Sequence, residues 1–94
     1  MRIRVTTRGS VKAVPTTREL DVDALPEVKQ KHIRELVDRG VWPAPEIQRA
    51  AHPQPNDFDY SMSVDDGPRA KTIRLHKSAA SAEVRELVGL VEGG

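Results

Sequence analysis

Between Asp57 and His76 apolar and polar positions alternate, break once, and resume. Phe58, Tyr60, Met62 and Val64 alternate with Asp59, Ser61 and Ser63, the period of a strand buried on one side. Asp66-Gly67 follows, a pair that tolerates the positive φ of a type I′ turn. The chain then returns with Ile73 and Leu75 directed inward and Thr72, Arg74 and His76 outward. This stretch predicts a β-hairpin. A second alternation opens the chain, where Ile3 and Val5 oppose Arg2, Arg4 and Thr6 and predict a strand over residues 2–7. After the turn signal Arg8-Gly9-Ser10, Val11–Val14 together with Thr16–Val22 predict a longer strand interrupted at Pro15. Proline cannot donate to a ladder, so this strand belongs at an edge or carries a bulge. Thr16, Arg18, Leu20 and Val22 are in phase after the break.

The period then lengthens. Asp23, Pro26 and Glu27 mark a helix start, with a capping residue, a proline tolerated in the first turn and an acid at the positive end of the dipole. The helix is expected to run to Arg39 and stop at Gly40. Val28, His32, Ile33, Leu36 and Val37 share one half of its circumference, while Lys31, Arg34, Glu35 and Asp38 lie mostly on the other. A last helix is expected from Ser81 to Val91, with Ser81 as cap and Ala80, Val84, Leu87, Val88 and Val91 as its apolar stripe. Between the helices, Pro43, Pro45, Pro53 and Pro55 exclude a regular strand or a long helix over residues 41–57 and leave Ala44–Ala51 room for one helical turn or two. A connection of this length in so short a chain is either functional or poorly ordered.

Two hairpins and two helices in the order ββαββα predict an α+β fold: one four-stranded antiparallel sheet with both helices on one face, a single domain over residues 1–94. Its expected core sets Ile3, Val5, Phe58, Tyr60, Met62, Val64, Ile73 and Leu75 against Ile33, Leu36, Val37, Val84, Leu87 and Val88. The pairing between the two hairpins is left open.

Composition narrows the function classes. Fifteen Lys and Arg against fourteen Asp and Glu leave a formal charge of +1, which argues against a polyanion as obligatory partner. The chain has no cysteine, which removes disulfides, thiol catalysis and zinc–cysteine sites. No stretch reads as a signal peptide or a membrane span, so the expectation is a cytoplasmic protein without a membrane partner.

The search for reaction chemistry is negative. His32, His52 and His76 lie on three different elements and none has a second ligand at helical or strand spacing, so no metal or other cofactor is expected. Asp57, Asp59, Asp65 and Asp66 lack the calcium-loop pattern, and turn chemistry accounts for the second pair. No serine stands in a nucleophile elbow, and Gly9-Ser10 lacks the glycine density of a phosphate loop. An enzyme is not expected. Arg2, Arg4, Arg8, Lys12 and Arg18, with Arg74 and His76, suggest a basic outer sheet face, but Phe58 and Tyr60 share the core phase and leave no stacking platform for nucleic acid. Trp42 is either a cap folded back over the core or an exposed anchor for a partner.

Taken together, several stretches are familiar: the run from Leu20 through Pro26; Ile33 through Gly40 into Val41-Trp42-Pro43-Ala44-Pro45; Phe58-Asp59-Tyr60 leading to Asp65-Asp66-Gly67; and the final Val84 to Val91. Over roughly residues 1–91 the chain resembles the emfourin family, small bacterial proteins whose namesake inhibits the thermolysin-like metalloprotease protealysin. One departure is the first hairpin turn, where emfourin-like sequences are richer in glycine and this chain has Gly9 alone. The resemblance implies an inhibitor of a thermolysin-like zinc metalloprotease that fills the substrate cleft with loops held by a sheet. Its candidate contacts are Arg8, Gly9, Ser10, Val11 and Lys12 in the first turn, and Trp42, Pro43, Ala44, Pro45, Glu46 and Ile47 after the first helix. A monomer is expected. The alternative is a non-catalytic interaction module without protease inhibition, for example a homodimer built on an exposed sheet edge.

Overall fold

A computed structural model describes residues 1–7, 16–48 and 59–93. Along the chain run β1 (Arg2–Thr7), β2 (Thr16–Asp21), a 3-10 turn (Val22–Ala24), α1 (Glu27–Gly40), β3 (Ile47–Gln48), β4 (Tyr60–Asp65), β5 (Ala70–Leu75), a second 3-10 turn (Lys77–Ala79) and α2 (Ala82–Gly93). The sheet has the order β2-β1-β4-β5-β3. β2 and β5 flank a central antiparallel pair, β1 and β4, in which Ile3 faces Val64 and Val5 faces Met62.

The α+β class is as expected, but the sheet is five-stranded and mixed rather than four-stranded and antiparallel. The added strand comes from the proline-rich connection. Pro43 and Pro45 lie before it, so Ile47 and Gln48 keep their donors and align parallel to Arg74 and Leu75. The same segment holds a strand where one or two helical turns had room; residues 49–58, including Phe58 and His52, and residues 8–15, including Val11–Val14 and Pro15, lie outside the described residues. As the proline suggested, β2 is an edge strand. Thr16 and Arg18 are nevertheless exposed, and of the residues in phase only Leu20 and Val22 reach the core.

One face of the sheet carries the core. Ile3, Val5, Met62, Val64, Ile73 and Leu75 form a single apolar cluster with Ile33, Leu36, Val37 and Val41 from α1 and its end, and with Val84, Leu87, Val88 and Val91 from α2. The core face of α1 is narrower than the wheel predicts. Val28 is 81% exposed, and His32 is exposed and paired through Nε2 with the Glu86 carboxylate of α2. Both lie at one rim of the predicted arc. Ser81 caps α2 as expected, its Oγ accepting from Val84 N at 3.2 Å.

Gly40 has a different role from a helix stop. It is the last residue of α1 and is buried, and Gly67 is the only described residue with positive φ. A Cβ at position 40 would stand 2.7 Å from Glu83 Cβ on α2, so the glycine is there for close approach of the two helices. Gly40→Ala is expected to destabilise by up to about 2 kcal/mol net: overpacking costs about 1–3, and better helix propensity returns somewhat under about 1. Urea unfolding measures it, and an unchanged midpoint would mean that the helices separate at no cost.

The hairpin between β4 and β5 is confirmed, with a corrected turn. Asp66 N donates to Arg69 O at 2.8 Å, placing Gly67 and Pro68 at the centre. Only Gly67 is left-handed, at φ +75°, which is the II′ pattern rather than the I′ pattern expected of Asp66-Gly67, because proline at the second position holds φ negative. Asp65 Oδ1 accepts from Gly67 N at 3.1 Å. At this pole the N-terminal ammonium lies 2.9 Å from Asp23, and Arg34 reaches Asp23 at 3.2 Å and Asp66 at 3.5 Å. The hydrogen bond and charge of that ammonium, with help from Arg34, hold the Asp23 carboxyl below its usual range.

The opposite face of the sheet is uncovered by either helix. It presents the hydroxyl pairs Thr6–Thr17 and Ser63–Thr72, and a half-open depression runs past Arg2, Arg4, Glu19 and Thr72. The basic face read from the first eighteen residues is partly offset here: Glu19 of β2 lies 3.3 Å from Arg2 and 3.6 Å from Arg4. His76, expected on this face beside Arg74, is instead 3% exposed. The strand ends at Leu75, and the following 3-10 turn, closed by Ala79 N on His76 O at 2.9 Å, turns His76 out of the alternation.

Candidate functional site

The segment that follows α1 is fastened along its whole length. Val41 N and Trp42 N both donate to Val37 O, at 2.9 and 3.1 Å, and Ala44 N donates to Val41 O at 3.2 Å. These bonds turn the chain sharply off the helix. They also bring Trp42 back onto the core, where it is partly buried against the apolar cluster. The Arg69 guanidinium covers the ring at 3.9 Å from its centroid, a cation–π contact, and approaches Asp38 at 3.8 Å. Of the two roles open to Trp42, the structure places it as the cap.

Lys71 ties down the next residues. Its Nζ donates to Trp42 O at 2.9 Å and also to Ala44 O. The side chain points to the helix side because Lys71 is paired across the ladder with buried Val64. An ammonium in such a half-buried position requires acceptors, and two main-chain carbonyls supply them. Farther along, Gln48 Nε2 donates to Pro45 O at 3.3 Å. Arg74 N donates to Glu46 O at 2.7 Å and His76 N to Gln48 O at 3.0 Å. Outside these anchors, Pro43, Pro45, Glu46 and Ile47 stay exposed, with Ile47 at 51%.

The candidate residues thus divide. Trp42 and Ala44 are the anchored part of the second segment, and Pro43, Pro45, Glu46 and Ile47 are its outward part. Arg8, Gly9, Ser10, Val11 and Lys12 lie outside the described residues. The chain leaves and rejoins the sheet at the pair Thr7–Thr16, in the register row that continues through Tyr60 and Leu75 to Gln48. Sequence reasoning passed over Arg69 and Lys71, although a signal existed for the second. Lys71 occupies the inward phase of β5 with Ile73 and Leu75, and a cation at an inward position calls for a partner.

Among the described residues no three His, Asp or Glu side chains converge as a metal site. His32 is paired with Glu86, His76 is buried, and His52 lies outside the described residues. No helix of the described residues is long and apolar enough to cross a membrane. No curated protein and no solved structure matches the chain. A family model does: the one described as Emfourin matches residues 7–92, from the end of β1 through the anchored segment and the second hairpin into α2, so the chain belongs to the emfourin family of small protease-inhibitor-like proteins.

Proposed function

We propose that this chain inhibits a thermolysin-like zinc metalloprotease by occupying its active-site cleft, with the segment Trp42–Ile47 and the turn Arg8–Lys12 as the contacting surfaces. The observation that carries the reading is the fastening of residues 42–48 to β5 through Lys71, Arg74 and His76. A segment held in one conformation before binding loses little entropy on binding. Pro43 and Pro45 stiffen it further and make a poor substrate of it.

The turn starts at the end of the sheet where Thr7, Thr16 and Gln48 lie, whereas β3 runs parallel to β5, so Trp42–Glu46 lead back along β5 past Lys71 to Arg69 at the opposite end. Thr7 and Thr16 lie three and four inter-strand steps from Gln48, about 14–19 Å at about 4.8 Å each, so Ile47 is the residue of the segment nearest the turn, at a distance that one protein–protein interface of ordinary size can span. The inhibitor needs no metal ligand of its own, since filling the cleft excludes substrate from the protease's zinc.

The test is a progress curve of peptide hydrolysis by thermolysin-like proteases with increasing amounts of the purified chain. Stoichiometric loss of activity with the chain left intact is the expected result. Full activity across a panel of such enzymes at several-fold excess would overturn the reading and leave the non-inhibitory interaction module.

A further inference from the structure

We propose that Ile47 is the residue by which the chain docks on its protease. Its side chain enters an apolar pocket while its own main-chain N–H and C=O pair with an extended strand of the enzyme. This rests on the inhibitor reading above and assigns the anchor within it.

The argument begins with the ladder. In a parallel pair, alternate residues direct both main-chain groups to the same neighbour. On β3 the carbonyls of Glu46 and Gln48 serve β5, accepting from Arg74 N and His76 N. The N–H and C=O of Ile47, in between, therefore face away from β5. β3 is the last strand of the sheet, so among the described residues no further strand uses them. An edge with unused main-chain groups is a template for strand addition.

The side chain makes the same residue apolar and accessible. Ile47 and Val28 are the large hydrophobic residues of the described chain that stand exposed, at 51% and 81%. Val28 lies in the first turn of α1, whose helical backbone cannot take part in strand addition. Ile47 alone combines an exposed apolar side chain with outward main-chain groups. That combination defines recognition by β-addition, in which main-chain bonds supply affinity and a pocket for the side chain supplies specificity. The register places Ile47 beside Arg74 on the open face, so the fitting pocket is apolar with acidic groups at its border. Trp42 is not available for this role, because Arg69 covers its ring.

Inhibition constants of Ile47→Asp, Ile47→Ala, Ile47→Leu and Val28→Asp against a thermolysin-like protease, together with urea unfolding of each, test the assignment. A hot-spot side chain is worth about thirty-fold in affinity or more, so Ile47→Asp is expected to weaken inhibition by at least that factor. Ile47→Leu is expected to restore most of it, and Val28→Asp to match the wild type, with all unfolding midpoints close to wild type. Wild-type inhibition by Ile47→Asp would overturn this assignment while leaving the inhibitor reading intact. A wild-type chain that inhibits none of the enzymes tested would overturn both.

Discussion

Leu87→Ala is expected to lower the unfolding free energy by about 2–5 kcal/mol, the range for truncating a buried leucine whose neighbours cannot collapse into the space. Leu87 has no exposed surface and lies in α2 among Val84, Val88 and Val91, where the helix meets the sheet and α1. A domain of this size has about 5–15 kcal/mol of stability in total, so this one substitution removes a large share. In urea the midpoint falls while the slope stays the same, since the surface exposed on unfolding hardly changes. Val28→Ala is the matching control. Val28 stands on the solvent side of α1, so the same chemistry there is expected to change stability by less than about 0.5 kcal/mol. Equal effects at the two positions would contradict the packing described above.

Trp42→Ala is expected to cost about 2–4 kcal/mol, somewhat less than for a fully buried tryptophan. The ring packs on the core beneath Arg69, and its removal leaves Arg69 without the contact that orients it over the segment. Trp42→Phe separates packing from polarity. The indole Nε1 is buried with no acceptor among the described residues, and an unsatisfied buried donor costs about 1–3 kcal/mol. Phenylalanine removes that donor and keeps an aromatic face under the guanidinium, so the loss in area and the gain in polarity nearly cancel. Thermal unfolding of the two variants is the measurement. A midpoint unchanged by Trp42→Ala would show the ring to be dispensable to the core. Since Ile47 is assigned the docking role, Trp42→Phe is also expected to inhibit as well as the wild type.

The two largest effects fall on residues that differ in how well the sequence foretold them. Leu87 follows from periodicity, because Val84, Leu87, Val88 and Val91 recur at helical spacing and a stripe of that width must be covered. The same holds for Ile3 and Val5, for Met62 and Val64, and for Ile73 and Leu75, all of which the structure buries. Pro15 left β2 either an edge or a bulged strand, and the sheet order puts it at the edge; the cap of α2 followed from Ser81. Trp42 was left between two roles, since a single aromatic after a helix has no period. The bonds of Trp42 N to Val37 O and of Lys71 to Trp42 O decided it.

Local signals determined the elements of this protein and the inward side of most of them, because alternation and helical spacing are properties of consecutive residues. They also pointed to the connection after α1 as a candidate site, through its prolines and Trp42, and to the family. What only the tertiary structure decided is whatever needs a distant neighbour. The fifth strand exists because Arg74 and His76 offer donors to Glu46 and Gln48. Gly40 is required by Glu83 on the other helix, far along the chain. The charge of Arg2 and Arg4 is partly offset by Glu19 across the ladder, and His76 turns inward where the strand ends. In the sequence Ile47 was a candidate only as one residue of the segment Trp42–Ile47, with nothing to set it apart from its neighbours. Its prominence arises from strand order, which puts it at the edge of the sheet, and from register, which turns its side chain to the open face and its main chain away from β5.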